Sequence, residues 1–325
     1  MAKNVVYHYC RLESFVNILK YKTIRLSDIH KLNDKMETKA FLELLKIATT
    51  KEIFANYKEY NMCFIQGMSE ESSVNYMINA IINQVKNYDD LIRYAVCFSG
   101  DGDQLNQWIR YANDGKGVAI GFKTKCLNQI AKKDTDLQFQ KVTYIDEKNI
   151  SNNPIILNYS KKIMNSFIEH VTSNETERLL TDACNTHLWL RWFNELIDDS
   201  MFYKHSSFEY EKEWRLILKD DGLIRSGDNW GEYYNWKDGE YDSIMCKLFP
   251  NGLQFRSTED NIISYLDLNF SEFVDDYILD NIVIGPNCKL NINDISQILQ
   301  HFSFPVDEML DNDNIRKSKS PYRII

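Results

Sequence analysis

Proline and glycine are scarce in this chain, five and twelve in 325 residues, while tyrosine and phenylalanine number nineteen and seventeen. So few chain-breaking residues among so many aromatics exclude a disordered chain, and the lack of any internal period excludes a solenoid. The seven cysteines are scattered. None stands in a Cys-x-x-Cys pair, and only His8 and Cys10 lie close enough to suggest ligand spacing. No zinc site is expected from that pattern, and reduced, buried thiols are. No apolar run reaches the length that spans a bilayer, so no membrane segment is expected. The start, Met-Ala-Lys-Asn, passes directly into a strand pattern, from which no secretory leader is expected. A cytoplasmic location follows as the expectation.

Several chemistries have no foothold. The sequence has no Gly-x-Ser-x-Gly elbow, no His-Glu-x-x-His pair and no dinucleotide glycine fingerprint. Gly115-Lys116-Gly117 lacks phosphate-loop spacing and reads as helix termination. Asp101 and Asp103 lack the further ligands of a calcium loop and read as a turn. A net charge of -9 gives no general grip on nucleic-acid phosphates. A local basic groove would have to draw on Lys123, Lys125, Lys132, Lys133 and Lys141.

What remains is a mixture of strands and helices. Residues 4–10 alternate as a strand, with Val6, His8 and Cys10 on one face and Val5, Tyr7 and Tyr9 on the other. Leu12, Phe15, Val16 and Leu19 mark a short helix, and a strand follows at 23–27. Helical patterns occupy 37–60, then a stripe from Val74 to Val85, and later 155–172 and 176–199. Strands are expected at 94–99, 118–122, 140–145, 210–218 and 277–284, with helices at 105–112 and 292–301. Residues 221–260 read as long loops or short irregular strands. This is an α+β pattern rather than a regular βαβ array. No Pro/Gly/Ser linker divides it, so one domain over 1–306 is expected. It carries helical insertions at about 37–90 and 155–200, with a polar tail over 307–325.

The most telling segment is Tyr210-Glu211-Lys212-Glu213-Trp214-Arg215-Leu216. Read as a strand, it puts Glu211, Glu213 and Arg215 on one face, with Lys212, Trp214 and Leu216 on the other. Like charges two residues apart repel. The row is either a solvated ion-pair row worth under about 1 kcal/mol or part of a site for a cationic or hydroxyl-rich ligand.

Taken in order, several blocks resemble the prokaryotic family called domain of unknown function twenty-nine seventy-one. They are His8-Tyr9, Leu26-Ser27 with Asn33-Asp34 and Glu37, Cys97-Phe98-Ser99, Trp108 to Ala112 with Lys116-Gly117-Val118, Tyr210 to Arg215, and Ile284-Gly285-Pro286. Arg110 stands where many members of that family place a histidine. The layout is also similar, more distantly, to ADP-ribosyltransferases, which bind NAD in the cleft of a split mixed β-sheet. That resemblance implies an ADP-ribosyltransferase-like core with two helical insertions, NAD as substrate, and an unidentified protein or nucleic-acid acceptor. It implies Glu213 as catalytic carboxylate and Glu211 as the group facing the acceptor. His8 would hold the ribose, Ser27 and Tyr9 would line the nicotinamide side, and Arg110, Tyr111 and Arg215 would contact the rest of the ligand. Antiphage defence or a toxin is the setting such an activity suggests.

Plainer roles stand beside these. His8 reads equally as a half-buried strand histidine, and Asn33, Asp34 and Glu37 as turn and helix-start residues. Trp108, Arg110 and Tyr111 could stack a base or meet a phosphate, but a helix packing Trp108 and Ala112 inward explains most of them. His187 reads as core. The alternative from another class is a non-enzymatic nucleotide-sensing or interaction module. There His8, Arg110 and Arg215 bind a phosphorylated ligand, and the helical insertions recruit a partner protein.

Overall fold

The computed structural model describes residues 4–31, 37–56, 93–146, 153–171, 195–219, 247–306 and 314–322, with a few isolated positions between them. The chain divides into two compact units. One comprises residues 1–32, 92–142 and 210–325, and the other 33–91 and 143–209. The expected stripe from Val74 to Val85, His187, and the Asn33-Asp34 turn lie wholly or largely outside the described residues.

Among the described residues, the first unit is built on a ten-stranded, mostly antiparallel sheet. Its strands are β1 (Val5–Cys10), β2 (Thr23–Asp28), β3 (Tyr94–Ser99), β4 (Val118–Lys123), β5 (Leu137–Lys141), β8 (Glu213–Leu218), β9 (Gln254–Ser257), β10 (Ile262–Asn269), β11 (Leu279–Ile284) and β12 (Ile315–Lys317). The path runs β12-β11-β4-β1-β3-β2-β10-β9, with β8 joining β3 to β5. β11 and β12 are the parallel pair. Helices α1 (Leu12–Tyr21), α3 (Leu105–Tyr111), α4 (Thr124–Ala131) and α6 (Ile292–His301) complete the unit.

β3 organises this sheet. Along one edge it pairs with β8 over its whole length, Tyr94 opposite Leu218 through Ser99 opposite Glu213. On the other edge it meets two strands in tandem: β1 at Tyr7–Ser99, and β2 at Ser27–Ala95 and Asp28–Tyr94. β1 and β2 therefore separate along β3, with Cys97 between their contacts.

Alternation then fixes what each face carries. Val6, Cys10, Val96, Phe98, Ile120 and Leu216 turn toward one buried apolar core, which also takes Phe15 and Leu19 of α1. Each such fully buried side chain is worth roughly 1.5–3 kcal/mol. On the opposite face α3 lays Trp108 and Ala112 against Tyr9, Ala119 and Val283.

The second unit holds α2 (Glu37–Asn56), α5 (Pro154–Val171) and a parallel pair, β6 (Thr143–Ile145) with β7 (Tyr203–His205). α2 packs on α5, where the buried hydroxyls of Thr49 and Ser160 meet at 3.2 Å. Phe41 of α2 meets Tyr203 with ring centroids 4.7 Å apart. This unit overlaps the stretches at about 37–90 and 155–200 and extends beyond them to take in β6 and β7.

The structure differs from the sequence reading at four places. The strand expected at 140–145 breaks at Val142, whose N–H bonds the Glu213 carbonyl. The strand expected from Tyr210 begins at Glu213, because Ser206–Glu211 form a 3-10 helix and Lys212 is left-handed at φ 48°. β9 falls where loops or short irregular strands were expected, and β10 occupies a stretch for which no element was expected. Residues 307–325 contribute β12, which Asp103 holds from outside the ladder. Asp103 accepts hydrogen bonds from the Ser318 hydroxyl, the Lys319 N–H (2.6 Å) and the Trp108 indole (2.9 Å).

Two glycine blocks are explained by backbone crowding. A Cβ on Gly117 would lie 2.1 Å from the Cys10 carbonyl oxygen, and one on Gly285 would lie 2.3 Å from that of Gly115. Gly285 N–H bonds the Gly117 carbonyl at 3.0 Å, so three backbone segments meet with no room for a side chain. Gly117→Ala is expected to cost roughly 3 kcal/mol, the upper end for overpacking, read as a lowered urea midpoint.

Asp103 also makes stability depend on pH. Burial opposes its ionisation, but the bonds from Ser318, Lys319 and Trp108 and the nearby Arg316 charge outweigh burial and hold its carboxyl below the ordinary 3.8. A depressed carboxyl stabilises the fold above its unfolded value and loses that contribution as pH falls through the folded one. Asp103→Asn is expected to lower stability at neutral pH by about 1–2 kcal/mol. Paired urea titrations should show the gap from the unsubstituted protein constant above pH 5 or so and closing below about 3.8.

Candidate functional site

The polar residues collect where β3 ends and β8 begins. Cross-strand register aligns Asn281, Gly121, Tyr7, Ser99 and Glu213 in one row over five strands. Directly paired residues share a face, so this row lies opposite the main apolar core. The next row sets Cys97 beside Arg215 and Gln140. Ser27, paired with Ala95, and Tyr9, paired with Ala119, lie on the same face. Asn281 reaches over side-chain-free Gly121, where a Cβ would stand 2.9 Å from its amide nitrogen, and donates to the Tyr7 hydroxyl at 3.2 Å.

Glu213 and Arg215 form a buried ion pair. Arg215 Nε donates to Glu213 Oε1 at 2.7 Å, and the side chains are 3% and 7% exposed. The surface-row reading is thereby corrected. The two residues do share a face, but inside the protein, with Trp214 turned the other way and stacked on Phe139 at 5.3 Å. Removing one member of such a pair typically costs about 3–5 kcal/mol, since it strands the other charge.

Glu211 is buried as well, but not by strand alternation. It ends the 3-10 helix, and left-handed Lys212 separates it from β8. Its Oε1 faces Arg110 Nη1 at 3.5 Å, with the Arg110 side chain 51% exposed. A buried carboxylate thus stands beside a guanidinium open to solvent. Tyr111, the next residue of α3, is also exposed.

The loop after β3 grips this kink. Ser99 Oγ donates to the Glu211 carbonyl at 2.8 Å and accepts the Asp101 N–H at 3.1 Å. Gly100 N–H donates to the Lys212 carbonyl at 2.7 Å, and the Gln104 amide donates to the Tyr210 carbonyl. Lys212 Nζ pairs with Asp101 at 2.9 Å. Tyr9 locks the loop from the other side, donating to the Asp101 carbonyl (2.8 Å) and accepting the Gln104 N–H (2.9 Å). Burial pushes its phenol far up, so it stays protonated and its bonds are structural.

His8 lies elsewhere. It shares the Val6 and Cys10 face and meets Phe98 edge-on at 6.0 Å. Its Nδ1 is 3.2 Å from the Cys97 carbonyl oxygen, which makes Nδ1 the donor, because a carbonyl can only accept. Burial pushes the imidazole down and the Cys97 bond pulls it up, with burial prevailing. A neutral ring therefore spans the place where β1 and β2 part.

The structure brings Glu211, Glu213, Arg215 and Arg110 to one end of the sheet, with Tyr9 close by through the loop. Ser27 stands further along the same face, Tyr111 faces out from α3, and His8 faces the other side. Ser99 entered the sequence reading only as part of a family block. Tyr7 was named only by its strand face, and Asn281 and Gln104 gave no sequence signal. Strand alternation could have found Tyr7 and Ser99. Of the basic residues, Lys133 pairs with Glu272, and Lys123 lies 5.3 Å from the Tyr277 ring centroid. Among the described residues, no three His, Cys, Asp or Glu side chains gather as metal ligands would, and no helix is long and apolar enough to cross a membrane. Burial raises the Cys10 and Cys126 thiols, as for packed rather than reactive cysteines.

No curated protein and no solved structure matches the chain. Residues 107–216, which carry Arg110, Glu211, Glu213 and Arg215, match the family model described as "Protein of unknown function (DUF2971)", so the resemblance of the sequence blocks to that family is shown over this segment.

Proposed function

We propose that the chain is an NAD-dependent ADP-ribosyltransferase-like enzyme, with Glu213 beside the reacting ribose and Glu211 toward the acceptor. The observation that carries this reading is the burial of both carboxylates on either side of Lys212, 3% and 5% exposed, at the end of a sheet whose β1 and β2 separate along β3. In the reaction, the bond from ribose C1′ to the nicotinamide nitrogen breaks, and its electron pair leaves with nicotinamide. The ribose develops oxocarbenium character, as in glycoside hydrolysis. A fixed carboxylate in a site shielded from water stabilises that charge more than one in bulk solvent. The acceptor then bonds to C1′ and gives up a proton, for which Glu211 is the base.

The other residues take narrower parts. Arg215 holds Glu213 in place, and Tyr9 holds the loop. Arg110 and Tyr111 supply an exposed cation and ring for the phosphates and base of the ligand, and Ser27 lines the same face. His8, on the opposite face, is assigned to the sheet and not to the ribose. A setting in antiphage defence or as a toxin is suggested by the activity alone.

One observation favours a second reading. Glu213 is already committed to Arg215 at 2.7 Å, as suits a site that binds a nucleotide and does not turn it over. Arg110 would then be the phosphate contact of a sensing module.

The test is nicotinamide release from NAD, with cell lysate as the source of acceptors. The protein is expected to release nicotinamide, and Glu213→Gln, normalised to folded protein, to lose on the order of 100-fold or more. Silence from folded protein with lysate present, joined to NAD binding that Arg110→Ala abolishes, would select the sensing module.

A further inference from the structure

We propose that Ser99 is the positioning residue of the Glu211–Glu213 pair, acting through the left-handed backbone of Lys212. Its place in a catalytic step rests on the reading above, but its effect on the backbone does not.

Lys212 has φ 48°. For a residue with a Cβ this conformation is disfavoured and persists only where the surroundings impose it. Ser99 is placed to impose it. It stands directly opposite Glu213 in the β3–β8 ladder, and its hydroxyl donates to the Glu211 carbonyl at 2.8 Å. One residue thereby fixes the chain on both sides of Lys212. The direction of the bond is set, because the same oxygen accepts the Asp101 N–H at 3.1 Å, leaving its single proton for Glu211. Gly100 N–H, bonded to the Lys212 carbonyl at 2.7 Å, continues the grip. Ser99 is 3% exposed, so water cannot readily replace the hydroxyl once it is removed.

Without the left-handed turn, residues 211–215 would run on as strand, with Glu211, Glu213 and Arg215 in one row. Glu211 would then stand next to the like charge of Glu213, roughly 13 Å along the strand from Arg215, and Arg110 would lose Glu211. The kink assigns each carboxylate its own guanidinium, Glu213 to Arg215 and Glu211 to Arg110. On this account Ser99 touches no ligand and sets where both acidic groups stand.

The test is a double-substitution cycle on the full chain with Ser99→Ala and Lys212→Gly, because glycine adopts positive φ without being held there. Ser99→Ala is expected to lower the urea midpoint, and Lys212→Gly in that background to recover at least half the loss. If Ser99→Ala does not fold alone, recovery of a folded double variant is the same result. Additive midpoints, or a double variant that stays unfolded while Lys212→Gly folds, would overturn the proposal. In the nicotinamide-release assay, Ser99→Ala is expected to lower kcat about tenfold or more with KM for NAD within about twofold, as for a displaced catalytic group. An unchanged kcat beside an active wild type would overturn the proposal equally. A wild type silent on NAD removes the enzyme reading, and the midpoint cycle alone then decides the role of Ser99.

Discussion

A carboxylate taken out of water needs a counter-charge, and the start of β8 takes two within three residues. Most features of the polar end of the sheet follow from that requirement. Glu213 is satisfied by Arg215 from its own strand, two residues on and on the same face. In a continuous strand Glu211 would be four residues from that arginine, too far to share it, and it pairs instead with Arg110 on α3. The chain must therefore change direction between the two, and it does so at Lys212. The bonds from Ser99, Gly100 and Gln104 to successive carbonyls of 210–212 supply what an L-residue at positive φ cannot supply itself. The loop is in turn held by Tyr9, which stands on the α3 side of β1 beside Trp108. The acidic pair and the packing of α3 thus belong to one connected arrangement.

This also bears on why a family block is not by itself a functional site. Lys116-Gly117-Val118 and Ile284-Gly285-Pro286 lie where backbone segments approach too closely for a Cβ, which is reason enough for glycine at both positions. Cys97-Phe98-Ser99 divides its labour. Phe98 faces the apolar core, Cys97 lends its carbonyl to His8, and Ser99 reaches the acidic kink. Among the described residues of these blocks, the charges that are buried are Glu211, Glu213 and Arg215. That contrast makes the Glu211–Arg215 block the stronger candidate for chemistry.

Much of the sheet was legible because period-two alternation is a local property. β1 falls on the expected faces residue by residue, and Trp214 and Leu216 turn away from Glu213 and Arg215 as the strand pattern requires. The errors arise where a long-range bond overrides the local pattern. Tyr210 to Leu218 reads as one strand because nothing in Tyr-Glu-Lys-Glu-Trp signals a left-handed lysine, and that conformation is imposed from 112 residues away by Ser99. β12 is short, and its neighbours are pinned by Asp103 from across more than 200 residues, so its sequence resembles a tail. The charge row shows the same limit. Alternation gave the shared face of Glu213 and Arg215 correctly, but it could not tell a solvated face from a buried one.

The faces of β1 impose a further condition on any ligand. His8 and Glu213 were drawn to one cleft by resemblance, yet β1 turns His8 toward Phe98 while the row through Tyr7 and Ser99 leads to Glu213. A single ligand cannot lie flat on one face and meet both. The imidazole is instead explained by the parting of β1 and β2. That separation leaves the Cys97 carbonyl facing sideways between two strands, and a neutral, Nδ1-protonated ring is a donor of the right reach. Buried away from water, the same ring is costly to protonate, so it is ill suited to pairing with phosphate. If the proposed nucleotide binds, its cationic contact falls to Arg110, which is open to solvent and stands beside Glu211. Tyr7 and Tyr9 of β1 therefore share the face that carries Ser99 and Glu213, while His8 serves the opposite face through the Cys97 carbonyl.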